Sequence, residues 1–318
     1  MTPATAQNLR NIQHLIAIRD LDDETVRALI DHALTRKKMF RDGRLTQSLT
    51  GKTLAMIFQK PSLRTRLSFE VAMTQLGGHA VNLDHQHVAV GERESVADAA
   101  RVISSMCDGI MARMFDHADM ENFAQHSSVP VINGLTDWSH PCQAMADGMT
   151  LIEHFGEVHG RRFAFVGDGN NVARSLAILC GKLNMTFILA SPSGYELNEE
   201  FVESVMRDNP TMDFLVTHDP AEAVHDADIV YTDTWTSMGQ EEEKAVRKSV
   251  FAPFQINAEL MKNAKSSAIV MHCLPAYRGL EITDDVMDGP MSIVFDQAEN
   301  RLHFQRALLE LLMGGGKR

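Results

Sequence analysis

The chain has 318 residues and sets 30 Lys and Arg against 42 Asp and Glu, a formal net charge of −12. That balance argues against a broad nucleic-acid surface, which needs accumulated cations, while leaving room for a local basic pocket. Hydrophobic residues at 44% are enough for substantial cores, and the length suits two ordinary domains. Cys107, Cys142, Cys180 and Cys273 form no CxxC pair, residues 1–9 lack an apolar signal core, and no apolar run reaches the roughly 18 residues that span a bilayer. The expectation is a cytoplasmic protein with free thiols, no metal and no disulfide framework.

Asp22 and Asp23 stand where a helix cap belongs, ahead of Val26, Leu29, Ile30, Ala33 and Leu34 at helical spacing. The apolar run 53–58, stopped by Lys60-Pro61-Ser62, predicts a buried strand and a turn. A helix follows through Leu67, Phe69, Val71, Ala72 and Leu76 to Gly77-Gly78. Strands are predicted at 80–83, 109–114 and 129–132, with helices at 96–106, between the last two strands, and at 141–155. A second series of strands covers 162–167, 186–190, 213–217, 228–232, 268–272 and 292–295, and a helix over 298–313 closes the pattern. Alternation of this kind predicts parallel sheets covered on both faces. The fold class is α/β, two doubly wound parallel-sheet domains joined by the helix 141–155. Ligands in such folds lie at the carboxyl ends of the strands, here in a cleft between the domains.

Several strand ends carry candidate chemistry. Lys60-Pro-Ser-Leu-Arg-Thr-Arg66 lies where a strand turns into a helix. The unpaired N–H groups of that helix start, the hydroxyls of Ser62 and Thr65 and the guanidinium forks of Arg64 and Arg66 suit an anion. An ordinary capped and solvated helix start fits equally well. Arg113 closes an apolar strand and is either an internal salt-bridge partner or a ligand-facing cation. His140-Pro141-Cys142-Gln143 opens a helix with Pro at its first turn. His140 and Gln143 are then hydrogen-bond donors to a ligand carbonyl, or a cap and a surface amide.

Gly167-Asp-Gly-Asn-Asn171 resembles a dinucleotide loop, but Val172 stands where G-x-G-x-x-G needs its third glycine. Two adjacent Asn side chains suit a carboxylate better. Asp233, at a strand end, is placed to meet a substrate ammonium, and Ser237-Met238-Gly239 with the charged run after it suggests a mobile segment. Met271-His272-Cys273-Leu274-Pro275 ends another strand with a lone thiol. Arg301, in the last helix, reads by itself as a surface residue.

Taken in order, these motifs resemble the aspartate/ornithine carbamoyltransferase family over nearly the whole chain. Ser-x-Arg-Thr-Arg, Arg113 and His-Pro-x-Gln match its carbamoyl phosphate motifs. Asp-x-x-x-Ser-Met-Gly, Gly-Asp-Gly-Asn-Asn and His-Cys-Leu-Pro match its ornithine branch. The resemblance implies transfer of the carbamoyl group of carbamoyl phosphate to the δ-amine of L-ornithine, giving L-citrulline and phosphate. Other acceptors are the alternative: N-acetyl- or N-succinylornithine, putrescine or aspartate.

By the same resemblance, 1–145 with the helix 298–313 binds carbamoyl phosphate and 146–297 binds ornithine. Ser62, Leu63, Arg64, Thr65 and Arg66 are then phosphate ligands, and Arg113, His140, Gln143, Cys273, Leu274 and Arg301 surround the carbamoyl group. Asn171, Asp233, Ser237 and Met238 hold ornithine, and Arg113, His140, Cys273 and Asp233 are the catalytic set. A homotrimer with shared active sites and no cofactor is implied, with no nucleic acid or membrane partner. Two positions depart from the pattern: Leu63 replaces a hydroxyl residue, and loop 88–95 has Ala89 and no Gln, leaving Arg93 as its basic side chain.

Overall fold

The structure, a computed structural model, describes residues 9, 11–84, 90–91, 93–236 and 241–314. The chain divides into two compact units, 1–153 with 299–318, and 154–298. It crosses from one to the other inside two helices, Pro141–Phe155 and Val294–Met313.

Unit 1 is built on four parallel strands, β1 (Thr53–Phe58), β2 (His79–Asp84), β3 (Gly109–Arg113) and β4 (Val131–Leu135), in the order β2-β1-β3-β4. Helices α1 (Asp23–Arg41), α2 (Leu63–Gln75), α3 (Val96–Met106), α4 (His117–His126) and α5 (Pro141–Phe155) accompany them. Strands buried on both faces read as unbroken apolar runs, which is why β1 and β3 stand out in the sequence. Ala55, Ile57, Ile110 and Ala112 of the sheet pack with Val96, Ala99 and Ala100 of α3 and Met120 and Phe123 of α4. Each large apolar side chain enclosed there contributes about 1.5–3 kcal/mol relative to exposure. The strand expected at 129–132 starts later, because Ser127 turns the chain by bonding both the N–H and the carbonyl of Val129.

Unit 2 has five parallel strands, β5 (Arg162–Val166), β6 (Thr186–Ala190), β7 (Phe214–Thr217), β8 (Ile229–Thr232) and β9 (Ile269–His272), in the order β7-β6-β5-β8-β9. Its helices are α6 (Asn171–Lys182), α7 (Glu199–Asp208), α8 (Pro220–Val224), α9 (Lys244–Phe251), α10 (Ala258–Met261), α11 (Asp284–Met287) and the start of α12 (Val294–Met313). Phe163, Phe165, Phe187 and Tyr231 stack on one face of the sheet at centroid distances of 5.5–6.5 Å. The opposite face buries Ala164, Val166, Val230 and Val270 with Val224, Ile256 and Val286.

The strand expected at 292–295 is not one. Ser292 makes a single bridge to Val270, and the helix begins at Val294. A four-residue apolar run serves a buried strand and a buried helix start equally well, so spacing alone cannot separate them. The Gln297 N–H bonded to the Ile293 carbonyl at 2.9 Å puts this one on the helical side.

Both sheets change strand direction of growth once, at β1/β3 and at β5/β8. Chain leaving the carboxyl ends of strands at such a switch point diverges to opposite sides and leaves a crevice for ligands.

Candidate active site

At the switch point of unit 1 the chain leaves β1 and enters α2 with Ser62 as its cap. The Ser62 hydroxyl accepts from the Thr65 N–H at 3.3 Å and donates to Thr65 Oγ1 at 3.1 Å. The first turn of α2 carries no acidic side chain, so its N–H groups and positive dipole end are left for an anion. Thr65 Oγ1 also receives Arg113 from the end of β3, at 3.4 Å, and Arg301 from α12, at 3.2 Å.

A β-bulge helps deliver Arg113. Register slips between Ala112 and Arg113 opposite Asn133 and Leu135, leaving Gly134 unpaired. A Cβ on Gly134 would lie 2.7 Å from Met111 Sδ and 3.0 Å from Arg113 Cγ, so only glycine leaves room for that side chain.

Behind this cluster stands a buried polar chain. Arg301 donates to Gln143 Oε1, and Gln143 Nε2 donates to the fully buried Asp147 at 2.8 Å. The amide oxygen of buried Gln305 faces Arg301 Nη2 at 3.1 Å. Burial, then Arg301 and Arg64, push Arg113 down to about 9. It remains cationic at neutral pH, at a cost in repulsion that an anion would relieve. His140, also buried, is held well below the usual histidine range by burial and by Arg301, Arg113 and Arg64. Its ring is neutral at pH 7.

Ser62, Thr65, Arg113, Gln143 and Arg301 are thus brought together by direct bonds, with His140 and half-buried Arg64 within electrostatic range. Arg66 lies on the exposed side of α2, paired with Glu70 at 3.0 Å, and Leu63 is 73% exposed. Arg93 is exposed, while Val88 and Ala89 lie outside the described residues.

In unit 2 the corresponding strand ends gather a second cluster. Asp233, just past β8, is buried; Oδ1 accepts from the Cys273 thiol at 2.9 Å and from the Thr234 N–H at 2.7 Å, and Oδ2 accepts from Asn170 Nδ2 at 2.9 Å. Asn170 is also the cap of α6, its Oδ1 accepting from Val172 and Ala173 N–H. Asn171, the expected ligand, is the half-buried first residue of that helix. Ser237 and Met238 lie outside the described residues.

Gly169 serves packing. A Cβ there would meet the Glu196 carbonyl carbon and the Leu197 nitrogen at 2.5 Å, and its N–H bonds the Tyr195 carbonyl at 2.8 Å. The backbone of 195–197 therefore occupies the approach that a pyrophosphate would need at a dinucleotide loop.

Asp168 pairs with Arg247 at 3.1 Å, and burial lifts its carboxyl to about 6 against the pull of that guanidinium. Leu274 adopts φ +60°, a left-handed backbone costing a side-chain-bearing residue about 1–2 kcal/mol. Among the described residues, Asp233, His272 and Cys273 form the one His, Cys, Asp or Glu group close enough to share a metal ion, with ligand atoms within 4.8 Å of one another. At His272 the lone pair such an ion would need is already engaged, since Nδ1 accepts from the Leu274 N–H.

Asp147, Gln305, Glu281 and Arg247 were not singled out from the sequence, and Asn170 was read only as one of an adjacent Asn pair suited to a carboxylate, not as a cap bonded to Asp233. The cap was findable, as the Asn directly ahead of a helical apolar pattern. Asp147 and Gln305 act through Gln143 and Arg301, one helical turn away, whose own roles depend on distant partners, and Arg247 acts through Asp168, far off in the chain.

Matches to known proteins give this equipment a class, the carbamoyl-transferring enzymes. The model of the aspartate/ornithine carbamoyltransferase carbamoyl-P binding domain matches residues 13–153, and that of the Asp/Orn binding domain matches residues 159–312. The chain belongs to the aspartate/ornithine carbamoyltransferase family.

It is 50% identical over 305 residues to the ornithine carbamoyltransferase of Thermococcus kodakarensis, covering 95% of this chain and 97% of the relative. The anabolic ornithine carbamoyltransferase of Pyrococcus furiosus is 50% identical over 305 residues, with 95% and 97% covered. The solved ornithine carbamoyltransferase structure from Pyrococcus furiosus is similar with a TM-score of 0.93, over 96% of this chain and 98% of that one, at 50% identity. That of the anabolic enzyme from Campylobacter jejuni gives 0.88 at 36% identity, over 95% of this chain and 99% of that one.

Proposed function

We propose that this chain transfers the carbamoyl group of carbamoyl phosphate to the δ-amine of L-ornithine, releasing L-citrulline and phosphate. The observation carrying the donor half is the convergence of Arg113 and Arg301 on Thr65 Oγ1 at the Ser62-capped start of α2. The phosphate dianion sits at that helix start, held by Ser62, Thr65, Arg64 and the Leu63 N–H, with Arg66 supporting. Arg113, His140, Gln143 and Arg301 take the carbamoyl group, and the family resemblance adds Cys273 and Leu274 to its ligands. As a neutral ring, His140 acts by donating a hydrogen bond to the carbonyl oxygen. Such donors strengthen as that oxygen becomes the oxyanion of the tetrahedral intermediate.

Asp233 takes ornithine's α-ammonium, and Asn171, Ser237 and Met238 the rest of its head group. Cys273 lies beside the δ-nitrogen. The amine attacks as the free base, the carbon becomes tetrahedral, and collapse expels phosphate, already neutralised by its guanidinium partners. The amine proton goes to Asp233, directly or through the Cys273 thiol that already donates to it, or to solvent.

The reading includes a homotrimer with shared sites, in a reducing cytoplasm. It is supported by the exposed apolar Leu63 and Leu67 at the start of α2, surface that a second copy would cover. Among the described residues no helix is long and apolar enough to cross a membrane.

Steady-state assays with both substrates varied test the whole. Citrulline should form with ornithine well above N-acetylornithine, N-succinylornithine, putrescine or aspartate. Arg64→Met should cut kcat/KM for carbamoyl phosphate by about 10²-fold or more through the lost charge-assisted contact. Full donor affinity and turnover in that variant would place the phosphate elsewhere, and another acceptor outrunning ornithine would replace it. Sedimentation of the active protein as a single chain would remove the trimer.

A further inference from the structure

Directly beside the Asp233–Cys273 pair lies a buried imidazole–carboxylate couple to which the mechanism above gives no part. His272 is 1% exposed and Glu281 is 0% exposed. The Leu274 N–H can only donate, so His272 Nδ1, 2.8 Å away, accepts, and the ring proton is on Nε2, which faces Glu281 Oε1 at 3.2 Å. The same Glu281 oxygen accepts from the Tyr277 N–H, while Oε2 is buried without a hydrogen-bond partner. The Glu281 backbone carbonyl accepts from the Ile256 N–H at 2.8 Å, which fixes the carboxylate's own position in the unit.

A buried carboxylate with one oxygen unsatisfied is a costly way to fill space, and an apolar side chain would do that better. Its use here lies in what it orients. With Nε2–H directed at Glu281, the ring presents Nδ1 to Leu274. That contact closes a short loop around Cys273 and retains Leu274 in its left-handed conformation, φ +60°. Both ring nitrogens are occupied, so His272 has no lone pair left to act as the base.

We propose that Glu281 and His272 are positioning residues for carbamoyl transfer: Glu281 fixes the His272 tautomer, and His272 fixes the Cys273–Leu274 turn against Asp233. The proposal rests on the ornithine reading above.

Two conservative variants of the full-length protein test it. Glu281→Gln keeps an oxygen that accepts from both Tyr277 and His272. His272→Gln keeps a donor toward Glu281 but removes the acceptor for Leu274. His272→Gln should lower kcat about 10–100-fold, as expected when a reacting segment is misplaced, with KM for carbamoyl phosphate little changed. Cys273 alkylation by iodoacetamide, followed by peptide mapping to separate it from Cys107, should become about threefold faster or more as the thiol leaves Asp233. Glu281→Gln should lose no more than about threefold in kcat, a rescue by the conservative change.

A folded His272→Gln protein with wild-type kcat and wild-type Cys273 alkylation overturns the proposal. So does failure of both variants to fold, which would make the couple a core element only. Should the wild-type protein form no citrulline, the ornithine reading has failed, and the alkylation rates alone then decide whether the pair sets the turn.

Discussion

His140 is enclosed beside Arg64, Arg113 and Arg301, and the sign of that environment decides what kind of donor it is. Burial and three neighbouring cations all oppose a proton, so the ring is neutral at and above the ordinary histidine pKa of about 6.5. A neutral donor does not switch off as the solution passes through that value. The expected pH profile of kcat therefore has no limb near pH 6.5 due to His140, and His140→Gln should leave the profile's shape intact while lowering its height about 10–100-fold. A new or displaced limb in that variant would mean the ring titrates during turnover. At this scale the sequence was most ambiguous. Arg113 read more readily as a salt-bridge partner than as a ligand cation, and Arg301 as a surface residue, because Thr65, the group that gives both their meaning, lies 48 and 236 positions away.

Elements were more legible than residues, because caps and apolar runs are local. Strand β1 has the bounds expected for it, and Asp22 caps α1 through the Thr25 N–H. The failure at 292–295 came where local pattern carries no information on type. Asn170 shows how an element and a site share one side chain: Oδ1 caps α6, and Nδ2 holds Asp233. Those two roles can be separated. Asn170→Asp keeps the cap and favours the helix dipole, but sets a second carboxylate against Asp233. Asn170→Ala loses both, and loss of such a cap costs about 1 kcal/mol. Thermal melting should place Asn170→Asp near wild type and Asn170→Ala below it. Turnover should fall in both, and further in Asn170→Asp, whose new carboxylate repels Asp233 where Asn170 held it. Equal turnover in Asn170→Asp and wild type would show that the contact to Asp233 does not matter.

Over the whole molecule the two units are charged with opposite responses to acid. His14, His32, His117, His140 and His303 all have lowered pKa values, with burial the largest cause of each, and all five belong to unit 1. Below about pH 6.5 the unfolded chain binds protons that these folded rings refuse, so the stability they confer at neutral pH is lost as pH falls. For fully enclosed His140 the loss approaches 1.4 kcal/mol per pH unit, and the more accessible rings add less. Asp20, in the same unit, has a raised carboxyl and opposes this only once carboxylates begin to protonate. In unit 2 burial raises the Asp168 carboxyl to about 6, while Asp228 and Asp288 are lowered and act only once ordinary carboxylates begin to protonate. The folded form of Asp168 gains a proton before the unfolded chain does, so between about pH 6 and pH 4 acidification relieves a burial cost and stabilises that unit. Hydrogen exchange at pH 7.5 and 5.5, corrected for intrinsic rates, should therefore show protection falling across 11–84 and 93–153 while 154–236 and 241–298 keep theirs. Loss in unit 2 first, or equal loss in both, would mean that these histidines are not protonated only on unfolding.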